Sequence, residues 1–208
     1  MFIGEGQEWP EGEAEAWDRL ARREAGEVCR NALADFDAPA GHYRLAVFGE
    51  PVLVSPADRT MRADSPVAGY LLNELPHYSR LAVLWYLNNA QEVPLSGNLV
   101  NPREVGGGLI FALGSHRLPL DQVVARYGQD AAGFRQRGAA LGGEAMDYAD
   151  AAVRIFPFPR VPVVLVLWTP DEMFPARVDL LFDASCSRHL PTDILWATAM
   201  MSALVMLR

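Results

Sequence analysis

Apolar positions recur at three- and four-residue steps over 12–34: Trp17, Leu20, Ala21, Ala25, Val28, Ala32 and Leu33 share one helical face. The opposite face carries Glu, Asp and Arg, with Glu15 and Arg19, and Asp18 and Arg22, at i,i+4 spacing. This predicts one amphipathic helix. The period then changes to two. In 42–55, Tyr43, Leu45 and Val47 alternate with Arg44 and Ala46. A β-hairpin is expected, turning at Gly49-Glu50, with Pro51 placing the second strand at an edge or delaying its start.

A short helix is expected at 66–75 and a second at 77–90, with Pro76 in its first turn. The second is apolar nearly all round and reads as central to the core. A glycine run at 106–108 leads into an expected strand at 109–113. Two helices follow, 119–127 and 130–141, the latter capped by Asp130 and stopped by Gly142-Gly143. Strands are expected at 151–156, 161–168 and 177–182, with the prolines of "PFPRVP" holding the first link extended. The chain closes with a helix N-capped by Thr192. The link between the last two strands spans only about eight residues, too short for a parallel crossover. The expected class is therefore α+β: a mostly antiparallel sheet with helices packed on one face, a flexible N-terminus over 1–11 and a single domain over 12–208.

Composition narrows the chemistry. All 18 basic residues are arginine. Without lysine there is no Schiff base, no P-loop and no lysine general base. The two cysteines, Cys29 and Cys186, cannot build a four-thiolate centre within the chain. Net charge is −8, of which residues 1–37 carry −6 through ten acids and four arginines. No basic run exceeds Arg22-Arg23, so nucleic-acid binding is not expected. Residues 1–15 lack the basic and apolar regions of a signal peptide, and a cytoplasmic location is the default expectation. The apolar stretch 194–207 would span about 21 Å as a helix, short of a hydrocarbon core of about 30 Å. It reads as a buried helix, or as a seam for a second copy or a protein partner.

Three segments carry candidate chemistry. In "NPREVGGG", Arg103 can neutralise an anion, and Gly106, Gly107 and Gly108 let backbone N–H groups approach it. The structural alternative is a tight bend entering a strand. In "LFDASCSRHLPTD", Asp183 sits where a strand ends, followed by Ser185, Cys186 and His189. A thiol beside an imidazole can become a nucleophile. The alternative is an Asp/Ser turn with a buried cysteine, and no third orienting group is identifiable. In "WTPDEMFP", Asp171 and Glu172 are adjacent acids, which at a hairpin tip serve solubility. The histidines His42, His77, His116 and His189 have no metal-ligand spacing, so no metal site is expected; His77 could at most supply one axial ligand to a tetrapyrrole.

Taken together, "VPLSG", "REVGGG", "LGG", "FPRVPVVLVLW" and "DEMFPARVDLLFDAS…LPTD" resemble the prokaryotic domain-of-unknown-function family 3786, over about 17–206. The resemblance implies no assigned activity. Members fused to a cysteine-rich iron–sulfur domain imply a link to corrinoid or one-carbon metabolism. This chain has no such domain, and Cys186 matches no family motif. The leading expectation is a cytoplasmic domain binding a cofactor or small anionic ligand, with a tetrapyrrole or corrinoid as the class implied. Arg103, Gly106–Gly108, Arg160, Asp183 and Ser185 would hold it. The alternatives are an acid–base enzyme using Asp183 with Glu104, His189 or Tyr148, and a non-enzymatic oligomeric partner protein.

Overall fold

The computed structural model describes residues 12–105 and 117–208. The expected strand at 109–113, the glycines 106–108 and the N-terminal segment 1–11 lie outside the described residues.

The helix expected over 12–34 is two helices, α1 (Gly12–Ala21) and α2 (Ala25–Ala32). A contact distant in sequence divides them. Arg23 turns its guanidinium to the Asn88 carbonyl and to Glu27. Glu24 leaves helical geometry and caps α2, accepting from Gly26 N at 2.8 Å and Glu27 N at 2.6 Å.

A four-stranded antiparallel meander follows: β1 (Asp35–Asp37), β2 (His42–Val47), β3 (Glu50–Ser55) and β4 (Thr60–Arg62). The hairpin forms as expected, but its turn is Phe48-Gly49, because Val47 pairs with Glu50. Both turn residues have positive φ, 50° and 77°. That suits a two-residue hairpin, and buried Phe48 accepts it while anchoring the turn in the core. Pro51 pairs with Ala46, and β4 reaches only Leu53 on the other side, so its missing N–H is not needed.

Helices α3 (Pro66–Asn73) and α4 (Pro76–Asn89) follow: Ser65 caps the first, and Pro76 opens the second as expected. As expected, α4 is central, with Ala82, Val83, Leu84, Tyr86 and Leu87 buried.

The second sheet has the order β5-β9-β8-β7-β6, all antiparallel: β5 (Leu99–Val100), β6 (Glu144–Met146), β7 (Ala151–Phe158), β8 (Val161–Trp168) and β9 (Arg177–Asp183). The "PFPRVP" link is a tight hairpin turn at Pro159-Arg160 rather than an extended connection. Before it the register shifts between Ile155 and Phe158, where Pro157 lacks an N–H. The Phe156 carbonyl released there accepts from Phe48 N at 2.9 Å and joins the two sheets.

Period-two register places Val153, Ile155, Val163, Leu165, Leu180 and Phe182 on one face. That face packs with α5 (Leu120–Tyr127), α6 (Ala131–Ala140) and α7 (Thr192–Met206) in one core continuous with the first sheet. The fold class is α+β with antiparallel sheets. It differs from the single sheet expected because β1, β4, β5 and β6 have two or three residues each, too few to show a period.

Asp130 caps α6 as expected, accepting from Gly133 N. Thr192 does not occupy the cap of α7: Pro191 does, and Thr192 is the first helical residue. Ten of the fifteen α7 residues are buried within this chain; Thr192, Trp196, Met200 and Leu204 are half-buried and Asp193 is exposed. Its C-terminal carbonyls are capped from α5 and α6: Arg137 donates to Val205 O, Tyr127 to Met206 O and Arg126 to Leu207 O. Among the described residues no helix is long and apolar enough to cross a membrane.

Candidate functional site

The "LSGN" segment preceding β5 makes no helix or strand over 91–98, and most of it is exposed. It is nevertheless tied down at four positions, Gln91, Val93, Ser96 and Gly97. The ties come from three of the residues singled out in the sequence: Arg160, Asp183 and His189.

Asp183 ends β9 and is only 3% exposed. Its Oδ1 accepts from Ser96 N at 2.9 Å, Ser96 Oγ at 2.8 Å, Ser185 N at 2.9 Å and Ser185 Oγ at 2.6 Å. Its Oδ2 accepts from Gly97 N at 2.8 Å. Gly97 has φ of 73°, which aims that N–H at the carboxylate and which a residue with a Cβ adopts only under strain. The consecutive Ser96 and Gly97 amides form a small anion cradle, and Asp183 fills it from inside the protein. Burial works to raise this carboxyl's pKa. The donors from Ser185 and Ser96 outweigh it and hold the group at about 2. Asp183 is thus a fixed anion at neutral pH.

Arg160, in the β7–β8 turn, donates Nε to Asn31 O at 2.6 Å, one terminal nitrogen to Arg30 O at 3.1 Å and the other to Val93 O at 3.2 Å. Its backbone N–H donates to the Tyr86 hydroxyl, which in turn donates to Ala32 O at 3.0 Å. Three successive C-terminal carbonyls of α2 are therefore capped by one arginine and one tyrosine. A cation at a helix C-terminus meets the negative end of its dipole. Tyr86 is held for this by stacking on Phe158, with ring centroids 4.6 Å apart.

His189 is 1% exposed. Its Nδ1 accepts from Gln91 N at 3.3 Å, so the neutral ring carries its proton on Nε2. That Nε2 is buried and has no hydrogen-bond partner among the described residues. Burial first, then the nearby Arg160 charge, pushes the imidazole down to about 4, against a smaller opposing pull from Asp183. Arg188 adds a contact to Gln91 Oε1, and Ala184 N donates to Asn98 O at 2.8 Å.

Asp183, His189 and Arg160 thus meet on one segment, with Ser185 bound to Asp183, and the segment's own residues Gln91, Val93, Ser96 and Gly97 are not among the candidates legible in the sequence. The only signal for them was the "VPLSG" run, which carries no chemistry of its own. No hydrogen bond among the described residues joins Asp183 to His189 or to Glu104. Glu104 closes a capping box on the 3-10 turn Pro102–Glu104, accepting from Asn101 N at 3.0 Å while Asn101 accepts from Arg103 N. Tyr148 is exposed in the β6–β7 turn. Burial pushes the Cys186 thiol up to about 12, which removes the thiolate a nucleophile needs.

Arg103 stands apart from the clamp. The clamped segment runs directly into β5, where Leu99 pairs with Asp183, and then into the capped turn that carries Arg103. Arg103 is exposed, and its guanidinium makes no ion pair or hydrogen bond among the described residues. No group of three or more potential metal ligands occurs among the described residues.

No curated protein and no solved structure matches the chain. A family described as a domain of unknown function, DUF3786, matches residues 24–204, which include every part of the clamp. The chain belongs to that family.

Proposed function

We propose that this domain binds an anionic ligand without turning it over, and that segment 91–104 is its recognition edge. Arg103 is the anion contact. Arg160, Asp183, Ser185 and His189 are positioning residues that hold the edge in place. The observation that carries this reading is the convergence of the three ties, at Gln91, Val93 and Ser96-Gly97, on one exposed segment that leads to an arginine without an ion pair or hydrogen bond among the described residues. Prior rigidity lowers the ordering cost of binding. A planar guanidinium suits a carboxylate. The groups suited to acid–base work are instead committed to structure: Asp183 as an internal anion, Glu104 as a cap.

The family resemblance makes carboxylate-bearing tetrapyrroles and corrinoids the first class to test. The purified chain is titrated with hemin and, separately, with cobyric acid, read by absorbance and calorimetry. Saturable binding that weakens on the order of tenfold in Arg103→Ala supports the reading, as expected for loss of one charge-assisted contact. Saturable binding indifferent to Arg103→Ala, or no binding of either, overturns it.

A further inference from the structure

At the other end of β9 lies a surface independent of the ligand reading. The β8–β9 connection, 169–176, projects Met173 at 81% and Phe174 at 63% exposure, the two most exposed large apolar side chains among the described residues. Exposed apolar side chains at a loop tip are ordinary when the loop is loose. This loop is braced at three levels.

At its base, Trp168 Nε1 donates to Asp179 Oδ2 at 3.0 Å, and the Arg177 guanidinium lies over the Trp168 ring, 4.6 Å from its centroid. On the flank, Thr169 donates both N and Oγ1 to Asp150 Oδ2, at 2.7 and 2.9 Å. At the tip, Asp171 Oδ1 accepts from Met173 N and Phe174 N, both at 2.7 Å, and Asp171 N donates to Phe174 O at 3.0 Å. Pro170 and Pro175 bracket the turn and restrict φ on either side. The backbone behind the two apolar side chains is thus ordered before any partner arrives.

Charge indicates the kind of partner. Residues 169–176 hold two acids, Asp171 and Glu172, and no base. Asp171 is engaged in closing the turn, while Glu172 is exposed without a hydrogen bond or ion pair among the described residues. Beside the tip lies a shallow open cleft lined by Val124, Gly128, Pro170 and Pro175 together with the charged Arg126 and Asp130. Such a tip disfavours anionic bilayers and favours a socket with a basic border.

We propose that the β8–β9 tip is a docking knob for another protein, with Met173 and Phe174 entering an apolar socket and Glu172 meeting an arginine or lysine at its rim. Aromatic anchors that fill a desolvated pocket carry much of the energy of protein interfaces.

The test places the photoreactive residue p-benzoylphenylalanine at Met173 of the full chain and irradiates it in extract of the native host. The expected result is an adduct to one other protein whose crosslinked peptide carries apolar residues beside Arg or Lys. Glu172→Arg reduces that adduct to below about one tenth. The purified partner binds the unmodified chain and loses on the order of tenfold in affinity to Met173→Ser with Phe174→Ser. Circular dichroism confirms that the exposed substitutions leave the fold intact. The proposal is overturned by no adduct, by adducts indifferent to Glu172→Arg, by adducts between copies of this chain only, or by cosedimentation with phosphatidylcholine or phosphatidylglycerol vesicles that Met173→Ser abolishes.

Discussion

Asp183 holds Ser96 by two bonds at once, from the backbone N–H at 2.9 Å and from the hydroxyl at 2.8 Å, across 87 residues of sequence. The pair joins the end of β9 to a segment that has no helix or strand of its own. Without this tie and its neighbours, the segment would have no reason to keep one conformation.

Asp183→Ala should therefore act locally and strongly. It leaves the Ser96, Gly97 and Ser185 amides without their acceptor, at a cost of about 2–3 kcal/mol, moderated because Ser96 and Gly97 can turn to water. Hydrogen exchange at the Ser96 and Gly97 amides should accelerate well before exchange in β8 does. Equal acceleration in both would mean that the carboxylate supports the whole sheet rather than the segment.

The clamp should weaken in acid, and the order follows from the signs. His189 titrates near 4 in the folded chain against an ordinary 6.5, so its contribution is complete above 6.5 and is lost as pH falls through about 4. Protonation gives Nδ1 a hydrogen facing the Gln91 N–H and places a charge near Arg160 and Arg188. Asp183, lowered from 3.8 to about 2, keeps its contribution above 3.8 and loses it only as pH falls toward about 2. Denaturant unfolding across pH should show the first loss between 6.5 and 4. His189→Gln, which retains an acceptor but no titration, should flatten that limb; an unchanged slope would assign it to other groups.

Cysteine labelling should separate the two thiols. Burial raises both, but Cys29 is half-buried whereas Cys186 is enclosed and pushed to about 12. At neutral pH a disulfide reagent should titrate Cys29 slowly and leave Cys186 untouched until denaturant is added. Native labelling that survives Cys29→Ser would show the 184–188 turn opening on its own.

Gly138→Ala tests the packing of α6 on β7. A Cβ there would lie 2.5 Å from Val153 Cγ1 and 2.7 Å from its Cβ, in the middle of the core. Overpacking of this kind costs about 1–3 kcal/mol. Tm should fall by roughly 2–4 °C for each kcal/mol in a chain of this size. An unchanged Tm would mean that α6 can slide away from the strand.

The elements legible in the chain by itself were those whose information is local. Period-two alternation located the β2–β3 hairpin, and a near-continuous apolar run bounded by turn residues located β8. Pro76 and Asp130 marked the helix starts, because a missing N–H or a capping carboxylate acts within one turn. Arg160, Asp183, Ser185 and His189 stood out as residue types able to do chemistry. Their actual work depends on partners the chain does not place beside them. Arg23 breaks the first helix by reaching a carbonyl 65 residues away. Arg160 caps α2 across 129 residues. Asp183 meets Ser96 only because the β8–β9 hairpin returns β9 to the edge where β5 pairs. Propensity and periodicity are short-range quantities. Which buried charge finds which donor is settled by packing, and packing gives Arg160, Asp183 and Ser185 hydrogen-bond partners within the chain while Arg103 stays exposed.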